Sequence, residues 1–370
     1  MNTVNTTAKE REQILQAAAR LVREGLIERT WGNISIRVSD TQFLITPSGL
    51  GYEHMREDQL VLVNIADCSY QGSIKPSSEK GIHADAYRLR PEVNFVIHTH
   101  QYWASLAGIE GRAITGFIHP LLGKRVPCAG YGLPGSKPLR RAVTAEMTAW
   151  PDCRAFLMRR HGALCLGRDM EDTFAAAQAL EAVCKARVCD WMETPPSAPV
   201  PPDLGASRRA GDSFLLVQDG AEQGYRLDGS NLPPAAALHA AIYRAGNFQY
   251  IAHEAAPEVT AVSAGGRRLL PYLDDLAQMA GADILCVPAE PQRAAAALRG
   301  RNAVLLQNLG ALCASEAESD LGAVRALLRK GCAAGLYARE VPNCRPLGPA
   351  DARLQRLLYQ KSYGRKKNGC

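Results

Sequence analysis

The side chains best suited to chemistry in this sequence are two histidines separated by one residue and a third histidine further along the chain. His98-Thr99-His100 ends an apolar run that predicts a buried strand. Alternate residues of a strand point to the same face, so both imidazoles can reach one ion. His161 also follows a short apolar run and precedes a glycine. Three imidazoles with one open position form a usual catalytic zinc arrangement, and we therefore predict a metal site. His-x-His alone would equally fit two strand histidines hydrogen-bonded at a surface.

A carboxylate, Glu79, follows Ser77 and Ser78 at the predicted start of a helix. Carboxylates commonly cap helices at this position, because they accept hydrogen bonds from free N–H groups and face the positive end of the helix dipole. Close to a metal, the same carboxylate would serve as an acid/base group. The position alone leaves both roles open.

The elements that must position these groups alternate between short strands and helices, which indicates an α/β layered domain. The predicted helices are Thr7–Glu24, Ser78–Arg90 and Met170–Cys189. Ser77 or Ser78 is the expected N-cap of the second helix, and Pro91 stops it. The predicted strands are Ile34–Val38, Phe43–Thr46, Leu60–Ile65, Asn94–His98 and Phe156–Met158.

A segment with five prolines, residues 194–202, divides the chain. Proline disrupts helices and central strands, so this segment predicts an extended linker. The 370 residues are enough for two domains. We predict a first domain over residues 1–193, a linker over 194–209 and a second domain over 210–370.

The second half repeats the first. Residues 214–220 echo 43–49, residues 238–244 echo 82–88, and residues 309–313 echo 161–165. The offsets are 171, 156 and 148 residues, so the order is kept while the loops shorten. Three ordered matches predict a tandem repeat of one fold with a shortened second copy.

The repeat also supplies an internal comparison for the metal site. His98 has a counterpart in His253, but the counterparts of the other three groups are apolar. His100 aligns with Ala255, His161 with Leu309, and Glu79 with Ala235. Packing histidines have no reason to be lost as a set, so we predict a metal site in the first copy and none in the second.

Five short motifs together resemble the class II aldolase/adducin family. They are Gly32-Asn33-Ile34-Ser35, Thr46-Pro47-Ser48-Gly49, Ser77-Ser78-Glu79, His98-Thr99-His100 and His161-Gly162, in the family's order. The resemblance is clear over residues 8–192 and faint in the second half. It implies a three-layer α/β/α fold with a mostly antiparallel central sheet, present twice.

The resemblance also implies roles for particular residues. His98, His100 and His161 would bind a divalent metal, with zinc favoured and Fe²⁺, Mn²⁺ or Co²⁺ as alternatives. Glu79 would move a proton beside the enediolate. A phosphate would be cradled by Asn33, Ser48, Gly49, Ser77 and Ser78, which is plausible for hydroxyls, an amide and loop N–H groups near a helix start. Turn chemistry explains Asn33 and Gly49 equally well.

One feature departs from the aldolases that this chain resembles. They use a tyrosine as proton donor, upstream of a glycine and a Val-Pro-type strand. The corresponding residues 116–127 contain no tyrosine. His119 is a possible substitute, but a lone histidine beside a proline is more often structural.

These observations favour a metal-dependent lyase that catalyses aldol cleavage or condensation, decarboxylation or dehydration of a small hydroxy-carbonyl compound, anionic or phosphorylated. One alternative is a non-haem iron(II) oxygenase or decarboxylase on the same histidines, although such sites more often combine two histidines with a carboxylate. A non-catalytic adducin-like scaffold is another, since adducin-type members lack the metal histidines.

Charge and composition limit the kinds of binding partner and the cellular compartment that we expect for this protein. The formal charge is +6, partly in the basic segment 361–367, which we interpret as a frayed, solvated tail rather than a nucleic-acid arm. No apolar run is long enough for a membrane span, and the polar N-terminus does not resemble a signal peptide. The 11 cysteines include no CxxC pair, which favours a reducing cytoplasm.

The resemblance also implies an assembly, because members of the family form four-fold rings with active sites between neighbouring subunits. A homodimer of tandem chains would then form a pseudo-four-fold ring, with the second copy as one wall of each active site.

Overall fold

The protein is described here by a computed structural model covering residues 7–27, 31–191 and 200–367. The chain divides into two compact units, Met1–Asp190 and Trp191–Cys370. Residues 194–199 of the predicted linker lie outside the described residues. The linker prediction was wrong for residues 206–209, because a strand of the second unit already begins at Ala206.

The first unit contains five α-helices, two short 3₁₀-helices (Tyr52–His54 and Glu57–Gln59) and nine strands among its described residues, and the predicted elements agree with the α-helices and strands within two residues at each end. The helices are α1 Ala8–Arg23, α2 Lys80–Leu89, α3 Tyr102–Gly108, α4 Lys137–Ala149 and α5 Met170–Cys189. The strands are β1 Asn33–Arg37, β2 Gln42–Ile45, β3 Val61–Asn64, β4 Phe95–Thr99, β5 Ile114–His119, β6 Gly123–Val126, β7 Cys128–Ala129, β8 Ala155–Met158 and β9 Gly162–Gly167.

Seven of these strands form one mixed sheet in the order β3-β2-β1-β4-β9-β8-β7. Every neighbouring pair is antiparallel except β7 and β8, which are parallel. Apolar side chains of α2 and α4 pack with alternate strand residues such as Val96 and Leu164 into one core. Phe95 and Ile97 are also buried but lie outside that core, as expected for side chains on the opposite face. Helices α3 and α5 contact each other and β9, so helices cover the sheet on both sides.

The second unit repeats this arrangement. Its helices are α6 Pro234–Ala245, α7 Pro257–Ala264, α8 Asp274–Met279, α9 Pro291–Ala297, α10 Glu318–Glu340 and α11 Pro349–Lys367. Its strands are β10 Ala206–Ala210, β11 Ser213–Gln218, β12 Ala221–Arg226, β13 Tyr250–Glu254, β14 Cys286–Val287, β15 Ala303–Leu306 and β16 Gly310–Ser315. The sheet order is β12-β11-β10-β13-β16-β15-β14, with one parallel pair at the same end.

Strand register places the two copies in correspondence residue by residue. His98 lies opposite Leu164, and His253 lies opposite Leu312. Ser35 lies opposite Val96, and Ser207 lies opposite Ile251. The alignment read from the sequence therefore pairs strand positions that are equivalent in three dimensions.

Two local predictions were wrong at helix ends. Helix α2 begins at Lys80 with Glu79 as the N-cap residue, so neither serine caps it. Pro76 instead forms an isolated antiparallel bridge with Pro47, and this extended pairing holds the chain out of the helix. At the other end of the chain, the segment predicted as a frayed tail continues α11 to Lys367. Within the described residues no helix combines the length and apolar character needed to cross a bilayer.

Candidate metal centre

The three histidines are brought together by the middle of the first sheet. His98 lies in β4, His100 follows its last residue, and His161 occupies the turn between β8 and β9. A glycine makes this approach possible. A Cβ atom on Gly162 would lie 2.1 Å from the carbonyl oxygen of Thr99, so only glycine lets β9 run this close to the end of β4.

The imidazoles form a compact, buried group. Their ring centroids are 4.7 to 4.8 Å apart in all three pairs, and the exposed fraction of each residue is 2 to 3%. Nε2 of His98 lies 3.0 Å from Nε2 of His100. One ligand atom from each residue lies within 4.8 Å of the other two. Buried polar nitrogens that face one another are expensive unless a shared partner satisfies them, so the donor set fits a divalent cation.

The ring of His98 is oriented for this task. Its Nδ1 lies 2.9 Å from the carbonyl oxygen of Ala163 in the neighbouring strand. A carbonyl only accepts, so Nδ1 carries the hydrogen and Nε2 keeps its lone pair. Burial lowers the pKa of His98 to about 4, against an opposing effect of Glu79. His98 is therefore neutral near pH 7, as a metal ligand must be.

The side chain of Glu79 turns away from its helix and into the histidine group. It makes no capping hydrogen bond. Its Oε1 lies 3.0 Å from Nε2 of His161, and its Oε2 accepts a hydrogen bond from Nδ2 of Asn33 at 3.0 Å. Burial alone would raise the pKa of Glu79, but the imidazoles of His98 and His161 outweigh it and hold the pKa well below its ordinary value. The carboxylate is therefore ionised and held within the site.

Four of the five residues that the resemblance assigns to a phosphate lie on two adjoining loops, and the fifth, Asn33, is the first residue of β1. The amide of Ser48 donates to the carbonyl of Lys75, and the amide of Ser77 donates to the carbonyl of Thr46. Ser48, Gly49 and Ser78 are exposed, and Gly49 has a φ of +69°. A Cβ on Gly135 would lie 2.9 Å from the Ser78 side chain, so a third loop closes on the same place.

Two of the assigned residues have other partners in this structure. The hydroxyl of Ser77 accepts the amide hydrogen of Glu79 at 3.2 Å. Asn33 is buried between Glu79 and the imidazole of His83. The structure therefore places Asn33 against the carboxylate of Glu79 rather than in the exposed loops.

His119 lies at the end of the β5–β6 hairpin, which is a separate two-stranded sheet. Its Nδ1 accepts the amide hydrogen of Leu121 at 3.2 Å. This contact is what a structural histidine in a tight turn makes. It gives His119 a local role in the hairpin.

In the second unit, the positions of the site carry different side chains. The carbonyl of Leu309, at the position of His161, accepts from Nε2 of His253 at 2.7 Å. Nδ1 of His253 accepts from the amide of Leu204 at 3.2 Å. Both ring nitrogens of His253 thus form hydrogen bonds with backbone groups, as is usual for a structural histidine.

Sequence reasoning missed the hydrogen-bonded residues behind the site. Ser35, His83 and Tyr87 are buried, and the hydroxyl of Ser35 contacts both of the others. A signal was present, because His83 and Tyr87 recur as His239 and Tyr243 in the aligned segments. Their role becomes visible only when the contacts between α2 and β1 are known.

Comparison with known proteins adds an independent observation. The sequence profile of the family described as "Class II Aldolase and Adducin N-terminal domain" matches residues 12–188 and, a second time, residues 207–321. A 5-deoxy-D-ribulose 1-phosphate aldolase of Bacillus thuringiensis serovar kurstaki is 32% identical over 176 residues, which are 47% of this chain and 81% of the relative. The L-fuculose phosphate aldolase of Escherichia coli K12 is 31% identical over 188 residues, 50% of this chain and 85% of the relative. A solved structure of L-fuculose 1-phosphate aldolase is 25% identical, covers 48% of this chain and 83% of its own, and gives a TM-score of 0.44.

Proposed function

Because the chain belongs to the class II aldolase and adducin family and is a lyase of the class II aldolase type, we propose that it makes or breaks a carbon–carbon bond in a small phosphorylated hydroxy ketone. The observation that carries the proposal is the buried group of His98, His100 and His161 with the ionised Glu79 against it. Both named relatives are aldolases of sugar phosphates.

We propose that the three histidines hold a divalent metal, with zinc favoured by the all-imidazole donor set. When bound, the metal supplies positive charge that lowers the free energy of the negative charge developing on the substrate's oxygens. The group whose ligand atoms converge contains no carboxylate among the described residues. This gives no support to the iron oxygenase alternative, which more often uses two histidines and a carboxylate.

Glu79 is the proposed acid/base group. When the bond breaks, its electron pair stays on the ketone fragment, and a proton must be delivered to that carbon. In the synthetic direction ionised Glu79 takes this proton from the carbon. In cleavage the hydroxyl that becomes the aldehyde loses its proton, and the carboxyl of Glu79, protonated at that stage, returns a proton to the carbon. Glu79 is placed for this transfer because its carboxylate is buried, ionised and oriented by Asn33.

The phosphate would bind at the exposed loops that carry Ser48, Gly49 and Ser78. The serine hydroxyls there lie on exposed loops close to the start of α2, and helix starts favour anions. This places the anionic end of the substrate beside the segment that also carries Glu79.

The test measures two reactions of the metal-loaded enzyme. The first is cleavage of L-fuculose 1-phosphate and 5-deoxy-D-ribulose 1-phosphate, followed as aldehyde release. The second is exchange of a carbon-bound hydrogen of dihydroxyacetone phosphate with deuterated water, which needs the proton transfer but no donor for the aldehyde. We expect exchange that requires the metal, with cleavage of at least one sugar phosphate. Absence of both reactions in metal-loaded protein would reject the proposal.

A further inference from the structure

A chain of buried hydrogen bonds runs from helix α2 to the carboxylate of Glu79. The Tyr87 hydroxyl lies 2.7 Å from Oγ of Ser35, and that oxygen lies 2.6 Å from Nδ1 of His83. Nε2 of His83 contacts Oδ1 of Asn33. Nδ2 of Asn33 donates to Oε2 of Glu79 at 3.0 Å. All five residues are buried, so water does not compete for these contacts.

The direction of each hydrogen bond follows from the amide of Asn33. Its NH₂ group donates to Oε2 of Glu79, so its oxygen, which can only accept, faces His83. That oxygen requires a hydrogen on Nε2 of His83. Burial lowers the pKa of His83 to about 3, so the ring is neutral and Nδ1 accepts the hydroxyl hydrogen of Ser35. The ring is thereby fixed in one tautomer.

The second unit keeps the first part of this chain and lacks the rest. The Tyr243 hydroxyl lies 2.7 Å from Oγ of Ser207, which lies 2.7 Å from Nδ1 of His239. The counterpart of Asn33 in the sheet is Gly205, and the counterpart of Glu79 is Ala235. Nε2 of His239 accordingly makes no hydrogen bond to a side chain among the described residues.

Comparison of His83 with His239 shows that the two ring nitrogens have different roles. The Nδ1 side, present in both units, connects a sheet strand to the helix that packs on it, whether or not the unit carries the three-histidine group. The Nε2 side reaches a partner side chain only where a catalytic carboxylate follows. Folding alone would not require Asn33 to be placed between a histidine and Glu79.

We propose that His83 is a positioning residue for catalysis. Through Nε2–H it fixes the amide of Asn33, and Asn33 in turn holds Glu79 in the position from which it transfers a proton. This rests on the proposed function for the role of Glu79, but not for the hydrogen-bond chain itself. A buried partner that orients a reacting group usually changes the rate more than substrate binding.

The test uses two substitutions that each keep one side of the imidazole. The amide of asparagine reaches about as far as Nδ1, and the amide of glutamine about as far as Nε2. His83→Asn therefore keeps a partner for Ser35 and removes the donor to Asn33, whereas His83→Gln keeps that donor. His239→Asn and His239→Gln are matched controls in the second unit, where Nε2 has no side-chain partner.

We expect His83→Asn to lower kcat for deuterium exchange into dihydroxyacetone phosphate by about tenfold or more, with KM and metal content little changed. His83→Gln should restore most of kcat. The two His239 variants should retain kcat, although His239→Asn should lower Tm about as much as His83→Asn does. Equal kcat in His83→Asn and wild type, at equal metal content, would overturn the proposal. So would equal losses in both His83 variants, since the cause would then be general damage.

Crystal structures of wild type and His83→Asn decide the inference even if the enzyme proves to have no lyase activity. Rotation or displacement of the Asn33 amide away from Glu79 in the variant supports the positioning role of His83. An unchanged Asn33–Glu79 contact contradicts it. Absence of both exchange and cleavage in metal-loaded wild type would reject the proposed function, which is a separate result.

Discussion

Nδ1 of His98 donates its hydrogen to the carbonyl of Ala163 at 2.9 Å, across the pairing of β4 with β9. The same pairing brings His161, two residues before Ala163, to a ring-centroid distance of 4.7 Å from His98. The pairing of β4 with β9 therefore fixes the tautomer of His98 and also brings the ring of His161 beside it. The positions of these side chains depend on the register of β4 with β9, because a slip of one residue would turn them to the other face of the sheet.

Metal content tests the three-histidine site directly. We expect about one divalent ion per chain in the wild type and a large loss in His98→Ala, since removal of one ligand from a three-ligand site severely weakens it. His253→Ala is the matched control, because His253 occupies the equivalent strand position but bonds only to backbone groups and to Asp203. Elemental analysis after dialysis measures both. Equal metal content in wild type and His98→Ala would contradict the assignment.

Glu79→Gln keeps the size of the side chain and removes the proton acceptor. We expect deuterium exchange into dihydroxyacetone phosphate to fall by about 10²- to 10⁴-fold, the usual contribution of a positioned acid/base group. The metal should remain bound, because the ligand group consists of His98, His100 and His161. Exchange within threefold of the wild-type rate, an order-of-magnitude threshold well below that contribution, would show that another residue moves the proton.

Ser78→Ala tests the proposed phosphate loops. Ser78 is exposed and lies against Gly135, so its hydroxyl is available to an anion and its loss should not disturb the core. We expect KM for a cleaved sugar phosphate to rise by about tenfold, the cost of one charge-assisted hydrogen bond, with kcat less affected. The unphosphorylated sugar is the control, since wild type and variant should handle it equally. An unchanged KM for the phosphate ester would place its binding elsewhere.

The buried histidines predict loss of stability in mild acid. Burial lowers the pKa of His239 to about 4, whereas in the unfolded chain it is about 6.5. Between these values the unfolded state binds more protons, so stability falls as pH drops below about 6.5, by up to about 1.4 kcal/mol per pH unit. His239→Gln removes this group. Its Tm, measured by calorimetry, should fall less between pH 7 and pH 5 than that of the wild type, and parallel losses would disprove the assignment.

The second copy is proposed to complete an assembly. We expect two chains to form a homodimer of about 80 kDa, twice the 40.0 kDa of one chain. Light scattering at working enzyme concentration measures the mass. A strictly monomeric enzyme with full activity would show that one chain suffices.

Much of the fold was accessible from the sequence because it is local. The 20-residue helix α5 follows from its alanine-rich composition, since alanine is the strongest helix former, and its predicted bounds agree with the structure. The start of α2 was predicted too early, because a bridge between Pro47 and Pro76 competes with the helix for those residues. That competition involves residues 29 positions apart and leaves no local signal.

The sequence by itself determined which side chains are candidates and which are absent from the second copy. Residue type and order carry that information, and three histidines and a glutamate can be compared with their counterparts by alignment alone. Only the tertiary structure decided that Glu79 turns away from its helix, and that Asn33 and His83 stand behind it. These contacts join residues 46 to 82 positions apart. They depend on how α2 packs on β1 and how β4 pairs with β9, and sequence spacing does not encode distances across a packed core.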